Sequence, residues 1–191
     1  MSAETDLDRM GAPLLEVPSG QTPTRASQLT LTSCDVTHAR ILIGRWHSRL
    51  PRTQAGPWEH AHRASFDGIT YAVALWNSPS ARMIGPGHLE LRRLAVADDA
   101  PHCTASWMLS AMTKWLRRHR PDVHTLLSYQ DTAVHQGTIY LAAGWTAAYT
   151  SKPRVRDRSG TRAGTSRPYR SNLNGAEPDA SAKVRWELRI R

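Results

Sequence analysis

The stretch from Ser128 to Trp145, SYQDTAVHQGTIYLAAGW, constrains the fold of this chain more than any other. It reads as the end of a buried strand, a polar loop, and a short helix stopped by Gly144, with Tyr140 pointing back toward the strand. Upstream, Thr104 is placed to cap a helix running to about His119. Ala105, Met108, Leu109, Met112 and Leu116 form its apolar stripe, and Pro121 ends it. Lys114, Arg117, Arg118 and Arg120 take its outer face or C-terminal end, where cations are favoured. Val123–Tyr129 follows as a strand, so strand, helix and strand predict a right-handed, near-parallel crossover. A strand that parts from its neighbour just before a short helix leaves a slot lined by backbone groups.

The other segments supply the rest of a sheet. Gln28–Cys34 alternates as a first strand, and Thr37–Ser48 places Ala39, Ile41, Leu42 and Trp46 on helical spacing. Ala64–Phe66 and Ile69–Trp76 flank Asp67-Gly68, a pair that tolerates the positive φ of a type I′ hairpin turn. In HLELRRLAVADDAP (His88–Pro101), strict alternation puts Leu89 and Leu91 on one side and Glu90, Arg92, Leu94 and Val96 on the other. Trp145–Ser151 and the alternating Val184–Ile190 are expected to pair. The expected fold is α/β: a mixed, mostly antiparallel central sheet of about seven strands, with helices on both faces. Residues 1–27, with Pro13, Pro18, Gly20 and Pro23, read as a flexible arm. Residues 28–191 read as one domain, carrying a basic, Arg-rich insertion (152–182) before the last strand.

Charge narrows the partner. Lys and Arg total 25 against 16 acids, a formal net charge of +9 and a sequence pI near 10.4. Arginine dominates, and its planar fork suits bidentate contacts to phosphate. A polyanionic partner, with nucleic acid the first guess, is therefore expected, against a competing reading of a soluble protein that is basic without a specific ligand. No run approaches the roughly 20 apolar residues of a membrane span, and the acidic N-terminus does not resemble a secretory signal. Cys34 and Cys103 show no disulfide or metal-ligand spacing, so no metal and a cytoplasmic setting are expected. Oligomeric state is left open, with a homodimer among the options.

Four groups of residues could carry chemistry. The turn from Val96 to Trp107 opens a helix whose free N–H groups could hold a pyrophosphate; small Ala100, Thr104, Ala105 and Ser106 permit close approach, although no glycine is present. Tyr140 could give a proton or hydrogen bond to a leaving thiolate. His47, Glu90, Ser128, Asp131 and His135 are polar groups predicted to converge, any of which could accept a proton from an amine. Each alone would equally serve as a cap, turn or surface residue. The fourth group is Arg154, Arg156, Arg158, Arg162, Arg167 and Arg170, interleaved with Ser, Thr and Gly as in arms that neutralise phosphates. Tyr169 and the tryptophans could stack on a displaced base.

Together WHSRLP (Trp46–Pro51), the hairpin around Asp67-Gly68, LELRRLAVADDAP (Leu89–Pro101), SWMLSAMTKWLRRHRPD (Ser106–Asp122) and SYQDTAVHQGTIYLAAGW resemble the Mom family. These are phage-associated DNA-modification proteins of GNAT-like acyltransferase fold. The resemblance covers about Thr37 to Tyr149, with an Arg/Gly/Ser segment and a terminal RW-x-x-R-like strand. It implies conversion of adenine N6 in duplex DNA to a carbamoylmethyl-type adduct, which protects the DNA from restriction. Carried over by position, it marks His47 with Ser48 and Arg49, Glu90 and Arg93, Ser128 with Tyr129 and Asp131, and Tyr140. Its fold implies acetyl-CoA or a related acyl-CoA along Leu94, Ala95 and Val96, with the turn of His102, Cys103, Thr104, Ala105 and Ser106 at the pyrophosphate and Tyr140 at the sulfur. Arg49 and the six arginines of the insertion would hold DNA. The chain departs from the family at Ser48, Thr132 and Val134, where aromatic, Pro and Gly residues are common. Two other readings remain: an acetyl-CoA-dependent N-acetyltransferase of a small molecule or protein amine, and a non-catalytic nucleic-acid-binding module.

Overall fold

A computed structural model describes residues 20–47, 58–79, 81, 83–152 and 181–191. Arg49, Ser48, Tyr169 and the six arginines from Arg154 to Arg170 lie outside the described residues, as does most of the expected N-terminal arm. Packing begins before residue 28: Ala26, in a 3-10 turn over Ala26–Gln28, is already buried.

Among the described residues, seven strands form one sheet. In chain order they are β1 (Thr30–Ser33), β2 (His60–Phe66), β3 (Ile69–Asn77), β4 (His88–Val96), β5 (Thr125–Asp131), β6 (Thr146–Ser151) and β7 (Lys183–Arg189). Their spatial order is β1-β2-β3-β4-β5-β7-β6, with only β4 and β5 parallel. The fold is the mixed, mostly antiparallel α/β class expected. β2 and β3 turn at Asp67 (φ 47°) and Gly68 (φ 77°), the two positive angles a type I′ turn requires.

Helix α1 (Val36–Trp46) covers one face, over β2, β3 and β4. Asp35 caps it, its Oδ1 accepting from Thr37 N at 2.7 Å and His38 N at 3.2 Å. Helix α2 (Thr104–His119) and the short α3 (Thr138–Ala142) cover the other face. The predicted stripe of α2 is the buried one: Met108, Leu109, Met112 and Leu116 are each fully buried. Each such side chain contributes roughly 1.5–3 kcal/mol by leaving water. The two faces make separate cores, a large one under α2 and α3 and a smaller one of Ala39, Leu42, Ile43, Ala61, Val73, Leu75 and Ala95 under α1.

Two expectations are corrected. Leu94 and Val96 pack in the α2-side core with Leu89 and Leu91, not opposite them. The cause is a β-bulge: Leu75 pairs with Arg93 and Trp76 with Leu91, so Arg92 is an extra residue and the alternation of β4 reverses there. Thr104 does not cap α2. Cys103 occupies the cap position in a left-handed conformation (φ 66°) without a side-chain cap bond, and Thr104 Oγ1 donates to the Pro101 carbonyl at 2.7 Å.

Candidate active site

The site begins where two strands stop pairing. The parallel ladder of β4 and β5 runs from His88 opposite Thr125 to Leu91 opposite Ser128 and ends there. Past the Arg92 bulge, β4 continues along β3 to Val96, whereas β5 continues along β7 to Asp131. The edge of β4 that would face β5 is thereby left unpaired from Arg92 onward. Alternate backbone groups of a strand point to alternate neighbours, so this edge offers N–H and C=O groups to a ligand.

A cleft of about 360 Å³ fills the gap. Leu94, Ala95, Val96 and Ala105 line it on the β4 and α2 side, and Ser128, Tyr129, Gln130, Asp131 and residues 135–140 on the other; Trp46, His47, Arg92, Arg93 and Lys183 complete it. Of the sequence-derived candidates, His47, Ser128, Asp131, Tyr140, Leu94, Ala95, Val96 and Ala105 are therefore brought together. Glu90 is not: it lies within the paired part of β4, buried, 3.4 Å from Arg92 Nε. His102, Cys103, Thr104 and Ser106 sit beside the cleft at the start of α2 rather than on its wall.

Tyr140 is held with little freedom. Its ring stacks on Trp186 at 5.3 Å and 12° and packs against Trp145 at 5.6 Å. Its hydroxyl lies 2.9 Å from Ser128 Oγ, which donates its own proton to the Leu91 carbonyl at 3.1 Å. Because Ser128 has one proton, Tyr140 is the donor of the pair. Burial raises the phenol's pKa and the Ser128 bond partly offsets that, so Tyr140 is protonated near neutrality.

A second network sets the loop before α3. Trp186 Nε1 donates to Gln130 Oε1 at 2.7 Å, and Gln130 Nε2 donates to the His135 carbonyl. Gly137 (φ 79°) follows, and a Cβ there would lie 2.5 Å from both Gln130 Oε1 and Trp186 Cζ2. Only glycine meets both demands. Sequence reasoning missed Gln130, although it shares a strand face with Ser128 two residues earlier. It also missed Trp186, whose partners are far away in the chain.

On the α1 side the cleft is more strongly charged. Asp131 Oδ1 accepts from Ala133 N at 3.1 Å, and Oδ2 lies 3.5 Å from Lys183 Nζ. Burial, then Arg93 and His135, push the His47 pKa down to about 4, so its imidazole is neutral near pH 7. Burial, then the charge of Arg92, lowers the pKa of Arg93, whose NH1 donates to the Arg92 carbonyl at 2.6 Å. Among the described residues no group of His, Cys, Asp or Glu is arranged to hold a metal ion, and no helix is long and apolar enough to cross a membrane.

Solved structures share this architecture at low identity. The ribosomal-protein-S18-alanine N-acetyltransferase of Escherichia coli matches with a TM-score of 0.56 at 14% identity, over 85% of this chain and 94% of its own. A Bacillus subtilis acetyltransferase in complex with CoA matches at 0.56 and 12%, over 84% and 98%. Spermidine N-acetyltransferase from Vibrio cholerae, in complex with CoA and spermine, matches at 0.58 and 8%, over 86% and 96%. These likenesses establish the acetyltransferase-type fold. No curated protein sequence matches significantly. The Mom protein family model matches residues 28–181, from the first strand across the divided sheet and through the arginine-rich segment, and the chain belongs to that family.

Proposed function

We propose that the protein is a DNA-modifying transferase that acts on adenine N6, forming a carbamoylmethyl-type adduct that protects DNA from restriction. The observation that carries this reading is the parting of β4 and β5 after Leu91 and Ser128, with the Tyr140 hydroxyl at the cleft. Family membership supports DNA as the substrate, and the +9 charge supports its binding.

The residues present fit an acyl-CoA. The unpaired edge at Leu94, Ala95 and Val96 suits a pantetheine arm, and the first turn of α2 lacks a side-chain cap. Cys103 adopts the left-handed angle that a glycine would otherwise supply in the turn. Two of the CoA-type neighbours were solved with CoA. Bound acyl-CoA would supply an activated carbonyl carbon and a thiolate leaving group, which gives an N6-acyl bond. A carbamoylmethyl group is joined to N6 through its methylene carbon, so that adduct takes a donor carrying the leaving group on that carbon.

This chain's own residues then have distinct tasks. Extruding an adenine costs a few kcal/mol of stacking, offset by contacts to phosphate and to the pocket. An exocyclic aromatic amine is a weak nucleophile, so holding N6 in line matters more than basicity. Asp131 and neutral His47, on the α1 side, accept the N6 hydrogen bonds and then its proton. Tyr140, on the opposite side, donates to the leaving group. Ser128 can then turn its proton from the Leu91 carbonyl to the phenolate.

Intact-nucleoside mass spectrometry of DNA from cells expressing the protein tests this: a modified deoxyadenosine is expected, and unmodified adenine beside folded protein overturns it. The second reading, an N-acetyltransferase of a small or protein amine, draws on the fold of the spermidine and S18-alanine enzymes. It predicts acetyl-CoA turnover without DNA.

A further inference from the structure

We propose that the open face of β5, β7 and β6 is a stacking platform for unpaired DNA bases, built on Tyr129, Arg185 and Tyr149. This rests on the DNA reading above and adds a surface to it. The register aligns the three residues across the strands, Arg185 pairing with Tyr129 on one side and Tyr149 on the other. Trp186, the next residue of β7, points to the α3 face, so the row lies on the α1 face. Helix α1 covers β2, β3 and β4 there, and among the described residues Tyr129 and Tyr149 remain 37% and 54% exposed. All seven tryptophans instead pack into or against the two cores, which leaves Tyr129 and Tyr149 as the exposed aromatic rings on this side among the described residues.

The chemistry of the row fits a nucleobase. The Arg185 guanidinium sits 5.8 Å from the Tyr149 ring centroid, lies opposite Tyr129 in the strand register, and is paired with Glu187 at 2.8 Å. Bases stack on tyrosine rings and on guanidinium planes whatever their sequence. The row spans two strand spacings, about 10 Å, a gap that successive unstacked nucleotides can bridge. It also starts at the cleft, because Tyr129 lines the cleft beside Asp131 and Lys183. Extruding one base leaves its neighbours without a stacking partner, and the platform offers one a strand away. A positive charge stands at the same place: Lys183, which pairs with Ser151 at this end of β7, lines the cleft.

Fluorescence anisotropy of the full chain with three labelled DNAs tests the platform: a single strand, a fully paired duplex, and that duplex with one unpaired adenine. The single strand and the bulged duplex are expected to lose about 5- to 150-fold in affinity on Tyr149→Ala, the range for one lost base–aromatic stack. The paired duplex should change little, and Tyr149→Phe should restore wild-type binding. Thermal melting checks that Tyr149→Ala is folded. A Tyr149→Ala protein that binds all three DNAs like wild type, or weakens on all three equally, overturns the platform while leaving the adduct assay to judge the enzyme. A wild-type protein that binds none of them overturns both.

Discussion

The Tyr140 hydroxyl donates to Ser128 Oγ at 2.9 Å, and this bond spans the point where β4 and β5 separate, because Ser128 in turn holds the Leu91 carbonyl. Two side-chain hydroxyls thus take over where the strand ladder ends. The same pair sets a proton donor at the cleft.

Tyr140→Phe removes the donor and keeps the ring stack on Trp186. Stability should fall by about 1 kcal/mol or less, since Ser128 still bonds to Leu91. Adduct formation should fall about 10²- to 10⁴-fold if the hydroxyl acts as an acid. Nucleoside mass spectrometry over a time course and a urea melt separate the two effects. A variant with wild-type rate would remove Tyr140 from the chemistry.

Gly137→Ala should be among the most damaging single-methyl changes. The new Cβ would press on Gln130 and Trp186, and the backbone angle of 79° is itself unfavourable for alanine. A loss of about 1–3 kcal/mol is expected, read as a lower urea midpoint. Since Gln130 and Trp186 position Tyr140, activity at a temperature where the variant is folded should drop as well.

Much of this arrangement was legible from local spacing. The Asp67-Gly68 turn, the α2 stripe from Met108 to Leu116, and Tyr140 facing back to Ser128 each depend on residues close in the chain. What was not legible depends on distant partners. The Arg92 bulge is defined only by counting against Leu75 and Trp76 on β3, so strict alternation put Leu94 and Val96 on the wrong face. The placing of β7 between β5 and β6 brings Trp186 to Gln130 and Tyr140, and no period within β5 announces it. Glu90 was grouped with the cleft residues because it shares their strand, but the ladder still holds β4 and β5 together at that height.

Stability should fall with acid through His62. This residue is fully buried under α2, edge-on to Trp115 at 4.7 Å, and neither ring nitrogen has a hydrogen-bond partner. Burial, then the neighbouring His60 and His119, push its pKa down to about 4. The unfolded chain, with a pKa near 6.5, binds the proton more readily, so stability rises with pH between the two values. The contribution is full above about pH 6.5 and lost by about pH 4, and amounts to roughly 3 kcal/mol or less. Urea midpoints at pH 7.5 and 5 should differ in wild type, and His62→Leu should shrink the difference. An unchanged pH dependence would assign the acid sensitivity to other groups, His47 first.

The six arginines from Arg154 to Arg170 are expected to act by charge alone. Each phosphate they neutralise adds about 0.9 to the slope of log affinity against log salt. Replacing all six by serine should flatten that slope by up to about 5 and weaken specific and nonspecific DNA alike. A variant with the wild-type slope would show that the DNA path runs elsewhere on the protein.

Asp131→Asn separates binding from chemistry. Asparagine keeps an acceptor for the Ala133 amide, and the backbone carbonyl of residue 131 still accepts from the amides of Val134 and His135. Among the described residues the change removes the ion pair with Lys183, and with the lysine half-exposed that pair contributes about 1 kcal/mol or less. DNA affinity should hold or rise slightly, because a negative charge leaves a surface that meets phosphates. Adduct formation should fall about 10²- to 10⁴-fold if the carboxylate takes the N6 proton. A variant that loses DNA binding together with activity would instead make Asp131 a loop anchor, and would leave neutral His47 as the group that receives the proton.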